Sequence, residues 1–107
     1  MRFTNTKVIG AWVIEPAPHV DNRGRFGRAW CSKEFSAHGI EFIPVQANIG
    51  FSPRKGTIRG LHYQEAPALE AKLVRCIRGA MFDVVLDLRV DSPTFGEWYG
   101  KRLSDQN

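Results

Sequence analysis

Four side chains suited to acid–base and anion chemistry lie close together in the middle of the chain: Arg59, His62, Gln64 and Lys72. A histidine can hold or lend a proton near neutral pH, and a nearby lysine can stabilise negative charge that develops during a reaction. An arginine can clamp a phosphate with two parallel hydrogen bonds. These residue types together indicate proton transfer on an anionic substrate.

Three consecutive β-type runs must position these groups. His62 lies in a run that ends at the turn residues 65–67, and two further runs follow at 72–77 and 81–88. Arg59 and His62 are three residues apart and would point to opposite faces of a straight strand. We therefore predict a bulge at Gly60 that returns both side chains to one face.

The rest of the chain predicts four more strands and one brief helix. The strands are predicted at 7–14, 25–30, 42–48 and 97–103, with turn signals at 21–24 and 91–96. Ser32 is predicted to cap a single helical turn over 33–37, which Gly39 stops. Short strands with regular turns favour one mainly β domain over residues 1–107, an antiparallel sandwich or barrel.

The end of the chain predicts that this barrel is truncated. Residues 103–107 form a polar turn that would normally lead into another strand. An antiparallel barrel that stops there has an unpaired edge and an uncovered core. We therefore expect an incomplete domain.

Composition limits the classes of partner. The formal net charge is +4, from 15 basic and 11 acidic residues, and the basic residues are dispersed along the chain. A nucleic-acid binder usually shows a basic run or stripe, whereas a dispersed excess suits a small polyanion or a merely solvated surface. No apolar run approaches the ~20 residues that span a bilayer. Cys31 and Cys76 form no paired motif, which predicts reduced thiols and a cytoplasmic protein.

Seven short motifs resemble the dTDP-4-dehydrorhamnose 3,5-epimerase family, which are cupin-type enzymes. The pattern GTIRGLHYQ at 56–64 followed by KLVR at 72–75 is the most specific of them. The remaining motifs run in the family's order and cover essentially the whole chain: Asp21-x-Arg23-Gly24-x-Phe26, Gln46-x-Asn48, Arg78-Gly79, Phe82-Asp83-Val84 and 91–96.

The resemblance implies a reaction and a set of roles. The substrate would be a nucleotide-linked 4-keto-6-deoxy sugar, epimerised at C3 and C5 through an enolate. His62 would be the base, and Lys72 would hold the enolate oxygen. Substrate-binding roles would fall to Arg23, Phe26, Gln46, Asn48 and Arg59. Asp83, on the next strand, is a candidate to orient Arg59 or His62, and a structural hydrogen bond is the alternative reading.

The resemblance also implies partners and a fold. It implies a cupin-like antiparallel β-barrel or jelly roll with one short helix, and a homodimer in which the strand of Arg23 and Phe26 crosses to the partner. No cofactor or metal is implied, because only protons move. Three scattered histidines also make a poor metal site.

Two departures from the family pattern leave alternatives open. The family has a tyrosine that protonates the opposite face of the sugar and an aspartate that orients the histidine. Both lie in a part of the family's chain beyond Asn107. The family usually has a glutamate where this chain has Arg28, and arginine cannot accept a hydrogen bond from a base. The alternatives are a 3-epimerase for another nucleotide sugar and a non-catalytic remnant that binds nucleotide sugars or dimerises.

Overall fold

The computed structural model describes all residues from 1 to 107. It contains six strands and one helix, in the chain order β1 (Arg2–Asn5), β2 (Trp12–Glu15), β3 (His19–Asp21), β4 (Gly24–Phe26), α1 (Ser32–Ala37), β5 (Ala80–Leu86) and β6 (Trp98–Ser104). The protein is therefore mainly β with one short helix, as the sequence predicts. None of its helices has the length and apolar character that crossing a bilayer requires.

The strands pair only as three antiparallel hairpins, β1–β2, β3–β4 and β5–β6, each forming its own two-stranded sheet. In the longest hairpin Ala80 lies opposite Ser104 and Leu86 lies opposite Trp98. No ladder joins one hairpin to another, so the 107 residues do not close a barrel. A lone hairpin is marginally stable in water, and each of these needs other packing partners.

The local predictions for the first third of the chain are mostly confirmed. The turn between β3 and β4 forms, and the Arg23 backbone N–H donates to Asp21 Oδ1 over 2.9 Å, as in an Asx turn. Helix α1 forms, and Gly39, whose φ of 71° favours glycine, follows its C-cap residue His38. The helix cap was predicted wrongly. Cys31 is the N-cap and its side chain makes no capping bond, while Ser32 is already helical.

Three predicted strands do not form. Residues 27–79 contain no strand, so the runs at 42–48, around His62 and at 72–77 have no strand partners. A strand exists only when its N–H and C=O groups find a neighbouring ladder, and residues 41–78 make only two backbone–backbone hydrogen bonds. The predicted bulge is therefore wrong in form, although Gly60 has a φ of 103°. The strands predicted at 7–14 and 25–30 are shorter than expected, at Trp12–Glu15 and Gly24–Phe26.

The core is small and lies beside α1. Phe35 is 2% exposed, and its ring meets the rings of Phe3, Trp30 and Phe42 at centroid distances of 5.3 to 6.4 Å. These contacts join the helix to β1 and to the segment that follows it. Only four residues are fully buried in the chain: Val8, Phe35, Cys76 and Asp87.

Candidate functional site

The predicted base lies on the irregular segment between Phe51 and Tyr63. His62 is exposed, and its Nδ1 would lie 3.5 Å from a Cβ built on Gly60. The imidazole therefore folds back over Gly60, and a larger residue at that position would contact it. Because the ring nitrogens form no hydrogen bond within the chain, both are open to an external ligand.

Arg59 is fixed on the same segment by two hydrogen bonds. Its Nη2 donates to the Phe51 carbonyl over 2.9 Å, and its Nε donates to Ser52 Oγ over 3.1 Å. These bonds tie the guanidinium to the preceding loop and leave Nη1 without a partner. The group is exposed, so it is positioned to meet an anion while keeping a defined orientation.

Lys72 pairs with a neighbour two residues away in the sequence. Its Nζ lies 2.6 Å from Glu70 Oε1, and both side chains are partly exposed. Such a pair contributes little to stability because water screens it. The ammonium group can therefore exchange this partner for a ligand at small cost.

The remaining substrate-binding candidates are open to solvent. Gln46 and Asn48 are exposed and form no hydrogen bond within the chain. Arg23 donates from Nη2 to Asp21 Oδ2 over 2.6 Å, and this contact raises the pKa of Arg23 and lowers the pKa of Asp21. Phe26 is 85% exposed at the end of β4. No hydrogen bond joins any two of the predicted site residues.

Asp83 differs from the other candidates because it is half-buried. It lies on β5 opposite Lys101 of β6, and no ion pair joins the two residues. Burial alone raises the pKa of the Asp83 carboxyl above its ordinary value. A desolvated carboxylate without a partner is costly to keep charged, and groups of this kind are concentrated at functional sites.

Two cavities lie between the hairpins. The larger, of about 430 Å³, is lined by Phe26 together with three arginines that the sequence analysis did not single out: Arg2, Arg25 and Arg75. Arg2 pairs with Glu15, and Arg25 donates to the Asp105 carbonyl. These arginines are far apart in the sequence, so no local pattern would have identified them.

The smaller cavity, of about 70 Å³, shows where the segment that follows Lys72 lies. It is lined by residues 73–76, by Val13 and Ile14 of β2, and by Lys101 and Leu103 of β6. The 73–76 segment therefore packs between two hairpins without pairing to either. That position explains why Cys76 is buried while its neighbours in sequence are exposed.

Comparison with known proteins identifies one family. The profile of the dTDP-4-dehydrorhamnose 3,5-epimerase family matches residues 5–107. The epimerase of that name from Methanothermobacter thermautotrophicus is 49% identical over 107 residues, covering 99% of this chain and 56% of its own. A dTDP-4-dehydro-6-deoxyglucose 3-epimerase from Streptomyces bikiniensis is 47% identical over 90 residues, covering 83% of this chain and 45% of its own.

Solved structures give the same result. The Bacillus anthracis dTDP-4-dehydrorhamnose 3,5-epimerase, crystallised with TDP and PPi bound, superposes with a TM-score of 0.94 at 40% identity. The match covers 99% of this chain and 61% of the Bacillus chain. The unpaired segment 41–79 thus follows the same path as in a solved enzyme. The chain spans about half the length of the curated relatives it matches.

Proposed function

Because the chain belongs to the dTDP-4-dehydrorhamnose 3,5-epimerase family, we propose that it carries the base half of an epimerase site for nucleotide-linked 4-keto-6-deoxy sugars. The observation that supports this most directly is the match over residues 5–107, which includes the segments of His62 and Lys72. The ketone of such a sugar acidifies the hydrogens on C3 and C5. Removal of either proton gives an enolate, and reprotonation on the other face inverts the carbon.

Each candidate residue has a role in this proposal. His62 removes the proton, and both of its ring nitrogens are free of internal partners. Lys72 stabilises the enolate oxygen once it exchanges its weak contact with Glu70 for the ligand. Arg59, held by Phe51 and Ser52, binds the diphosphate.

The other candidates bind or orient. Gln46 and Asn48 contact the substrate, and Arg23 adds to the diphosphate site. Phe26 packs on the nucleotide base. Asp83 orients His62 or Arg59 from β5, because its half-buried carboxyl has no partner within the chain and is free to accept a hydrogen bond. The steps use only protein acids and bases, so the proposal includes no cofactor.

Assembly and location complete the proposal. The chain forms a homodimer in which the β3–β4 hairpin reaches the partner. The exposure of Arg23 in the turn and of Phe26 at the end of β4 supports this, because both side chains are free to contact a second copy. Residues 1–107 form one incomplete cupin-type domain, and the protein works in the cytoplasm, where Cys31 and Cys76 stay reduced. Light scattering of wild type and Phe26→Asp tests the dimer, because Phe26→Asp should yield monomers.

Solvent exchange tests the reaction. The protein is incubated with dTDP-4-keto-6-deoxyglucose in heavy water, and C3 and C5 are followed by proton NMR. Deuterium at both carbons supports 3,5-epimerisation, whereas a folded protein that gives no exchange refutes catalysis by this chain. Nucleotide-sugar binding without exchange would establish the non-catalytic alternative.

A 3-epimerase is the second candidate. It is favoured by the similarity to the Streptomyces bikiniensis enzyme, whose name describes epimerisation at C3. Exchange confined to C3 would support it. Arg28, which contacts Glu34 and has no hydrogen-bond acceptor, bears separately on the choice of nucleotide base. Replacing the thymidine by deoxycytidine, whose base has an acceptor at N3 where thymine has a donor, would show whether Arg28 has changed the preference for the nucleotide base.

A further inference from the structure

The larger cavity, of about 430 Å³, gathers positive charge that is dispersed along the sequence. Arg2 lies on β1, Arg25 on β4 and Arg75 on the segment between α1 and β5, and all three line the cavity. The smaller cavity adjoins it, because Arg75 and Glu15 line both. The volume of the larger cavity is in the range of small-molecule sites, which is roughly 300–1,000 Å³.

The balance of charge around the two cavities is positive. Five basic and two acidic side chains line them, which are Arg2, Arg25, Arg28, Arg75 and Lys101 against Glu15 and Asp105. This excess of three is most of the formal net charge of +4 that the whole chain carries. Concave walls with one sign of charge concentrate the electric field and attract ligands of the opposite sign. The larger cavity therefore favours an anion.

The arginines of the larger cavity have unused hydrogen-bonding capacity. Arg75 is exposed and forms no hydrogen bond or ion pair within the chain, so all of its N–H donors are available. Arg2 uses one nitrogen, for Glu15 over 3.2 Å, and Arg25 uses one, for the backbone carbonyl of Asp105. The other N–H groups of these two guanidinium groups remain open to a ligand.

The two acidic side chains do not fill this capacity. Glu15 forms a hydrogen bond only with Arg2. The Asp105 carboxylate accepts hydrogen bonds from the Gly79 backbone N–H and from Gln106 Nε2, each over 3.1 Å, and it forms no ion pair. The chain therefore leaves more donors than acceptors at the cavity, and an external acceptor can bind there without displacing an internal one.

We propose that the larger cavity binds a phosphate-bearing small molecule, with Arg75 as the principal donor and Arg2 and Arg25 as supporting donors. A phosphate group presents three strong acceptor oxygens, and the arginine fork binds such oxygens in pairs. Phe26 is the only aromatic side chain in the lining, so the arginines supply the recognition.

This site is separate from the proposed epimerase site. His62, Lys72 and Arg59 line neither cavity. Arg59→Gln removes the proposed diphosphate contact of the epimerase site and leaves the lining of the cavity intact. Phosphate binding in the cavity therefore does not depend on catalysis, and either proposal can fail without the other.

Pyrophosphate binding to the Arg59→Gln variant tests the site. Calorimetry gives the Kd, and NMR identifies the amide signals that shift. We expect saturable one-to-one binding with the largest shifts at residues 24–27 and 73–77. Malonate, a dicarboxylate, should bind at least about 10-fold more weakly, because it lacks the tetrahedral set of phosphate oxygens. Absence of saturable binding, equal affinity for malonate, or shifts confined to other residues would overturn the proposal.

A titration with dTDP in the same variant distinguishes two sources of the phosphate group. Tighter binding of dTDP than of pyrophosphate, with the same shifted signals, identifies a nucleotide. Tighter binding of pyrophosphate identifies a free phosphate compound. Both results support the site.

Matched substitutions in the same variant make the test specific. Arg75→Gln should weaken pyrophosphate binding at least about 10-fold. Arg102→Gln removes the same charge from an exposed arginine on β6 that lines neither cavity, and should change the Kd less than about twofold. Equal losses in the two variants would show that only net charge matters and would overturn the proposal.

Glu15→Gln provides a gain of binding that misfolding cannot produce. It removes a carboxylate from the cavity and releases Arg2 from its only partner. Pyrophosphate should therefore bind at least about threefold more tightly. Unchanged or weaker binding in a folded Glu15→Gln variant would contradict the site, and this result decides the question if Arg75→Gln fails to fold.

Discussion

Arg89 holds the buried Asp87 carboxylate with two parallel hydrogen bonds, from Nε to Oδ1 over 2.8 Å and from Nη2 to Oδ2 over 2.7 Å. The hydroxyls of Ser92 and Thr94 donate to the same Oδ2 over 2.6 and 2.7 Å. Arg89 also donates to the Ile9 carbonyl over 2.6 Å, so the network joins the β1–β2 loop to the β5–β6 connection. These contacts hold the pKa of Asp87 well below its usual range.

Asp87→Asn should loosen both loops that this network joins. The amide keeps the shape but removes the charge and one acceptor, which leaves Arg89 without its carboxylate partner. We expect a fall in Tm on the order of 5–10 °C and faster amide exchange in residues 7–11 and 87–97. Asp91→Asn, at an exposed carboxyl nearby, is the control and should leave both readouts unchanged. Equal effects of the two variants would show that the network contributes nothing.

The Asp87 network should also make the free energy of unfolding depend on pH in the acidic range. The folded pKa is depressed, so its stabilisation is fully present above the unfolded value of about 3.9 and is lost as pH falls below that value towards the folded pKa. Urea midpoints at pH 7, 5 and 3 test this. The gap between wild type and Asp87→Asn should be constant from pH 7 to 5 and narrower at pH 3. A gap that widens with acid would contradict the assignment.

Asp83 should behave in the opposite way. Its folded pKa is raised by burial, so its charged form opposes folding, and the penalty grows as pH rises from the unfolded pKa through the folded one. Asp83→Asn should raise Tm at pH 7 by a few degrees and have no effect near pH 3. If Asp83 orients His62 or Arg59, the same variant lowers proton exchange at C3. A more stable variant with unchanged exchange would assign Asp83 a structural role only.

His62→Asn and Lys72→Met should separate the two proposed chemical roles. Loss of a general base costs about 10²–10⁴ in rate, and loss of an enolate-stabilising donor costs about 10²–10³. Both variants should lose deuterium incorporation into the 4-keto sugar while still binding dTDP, which calorimetry measures. His19→Asn replaces an exposed histidine on β3 and should exchange at the wild-type rate. Exchange that survives His62→Asn would identify a different base.

The hairpin should require glycine at position 100, because the Phe82 ring on the opposite strand leaves no room for a side chain there. A Cβ built on Gly100 of β6 would lie 2.9 Å from Cε1 of Phe82 on β5 and would overlap its Cζ. Gly100→Val should therefore destabilise the hairpin by about 1 kcal/mol. In a Phe82→Ala background the same change should be neutral or stabilising, because valine favours strands. Additive effects in the double-mutant cycle would show that the ring does not lie over Gly100.

The sequence alone determined the features that depend on neighbours along the chain. Asp21 to Gly24 form their turn because an Asx side chain satisfies the local backbone, and Gly39 ends α1 because glycine tolerates positive φ. The runs at 80–86 and 98–104 form strands because each is the other's partner across the connection at 87–97. The family was also identifiable, since its motifs are contiguous stretches of sequence.

Only the tertiary structure decided the features that require a distant partner. The runs at 42–48, around His62 and at 72–77 have strand-like sequences and form no ladder, because no strand of the 107 residues pairs with them, although residues 73–76 lie close to β2 and β6. Contacts between distant segments also determine the burial of Asp87, whose network reaches back to Ile9. They likewise bring together the arginines that line one cavity with Phe26. Residue type sets what a side chain can do, whereas the packing of remote segments sets what it meets.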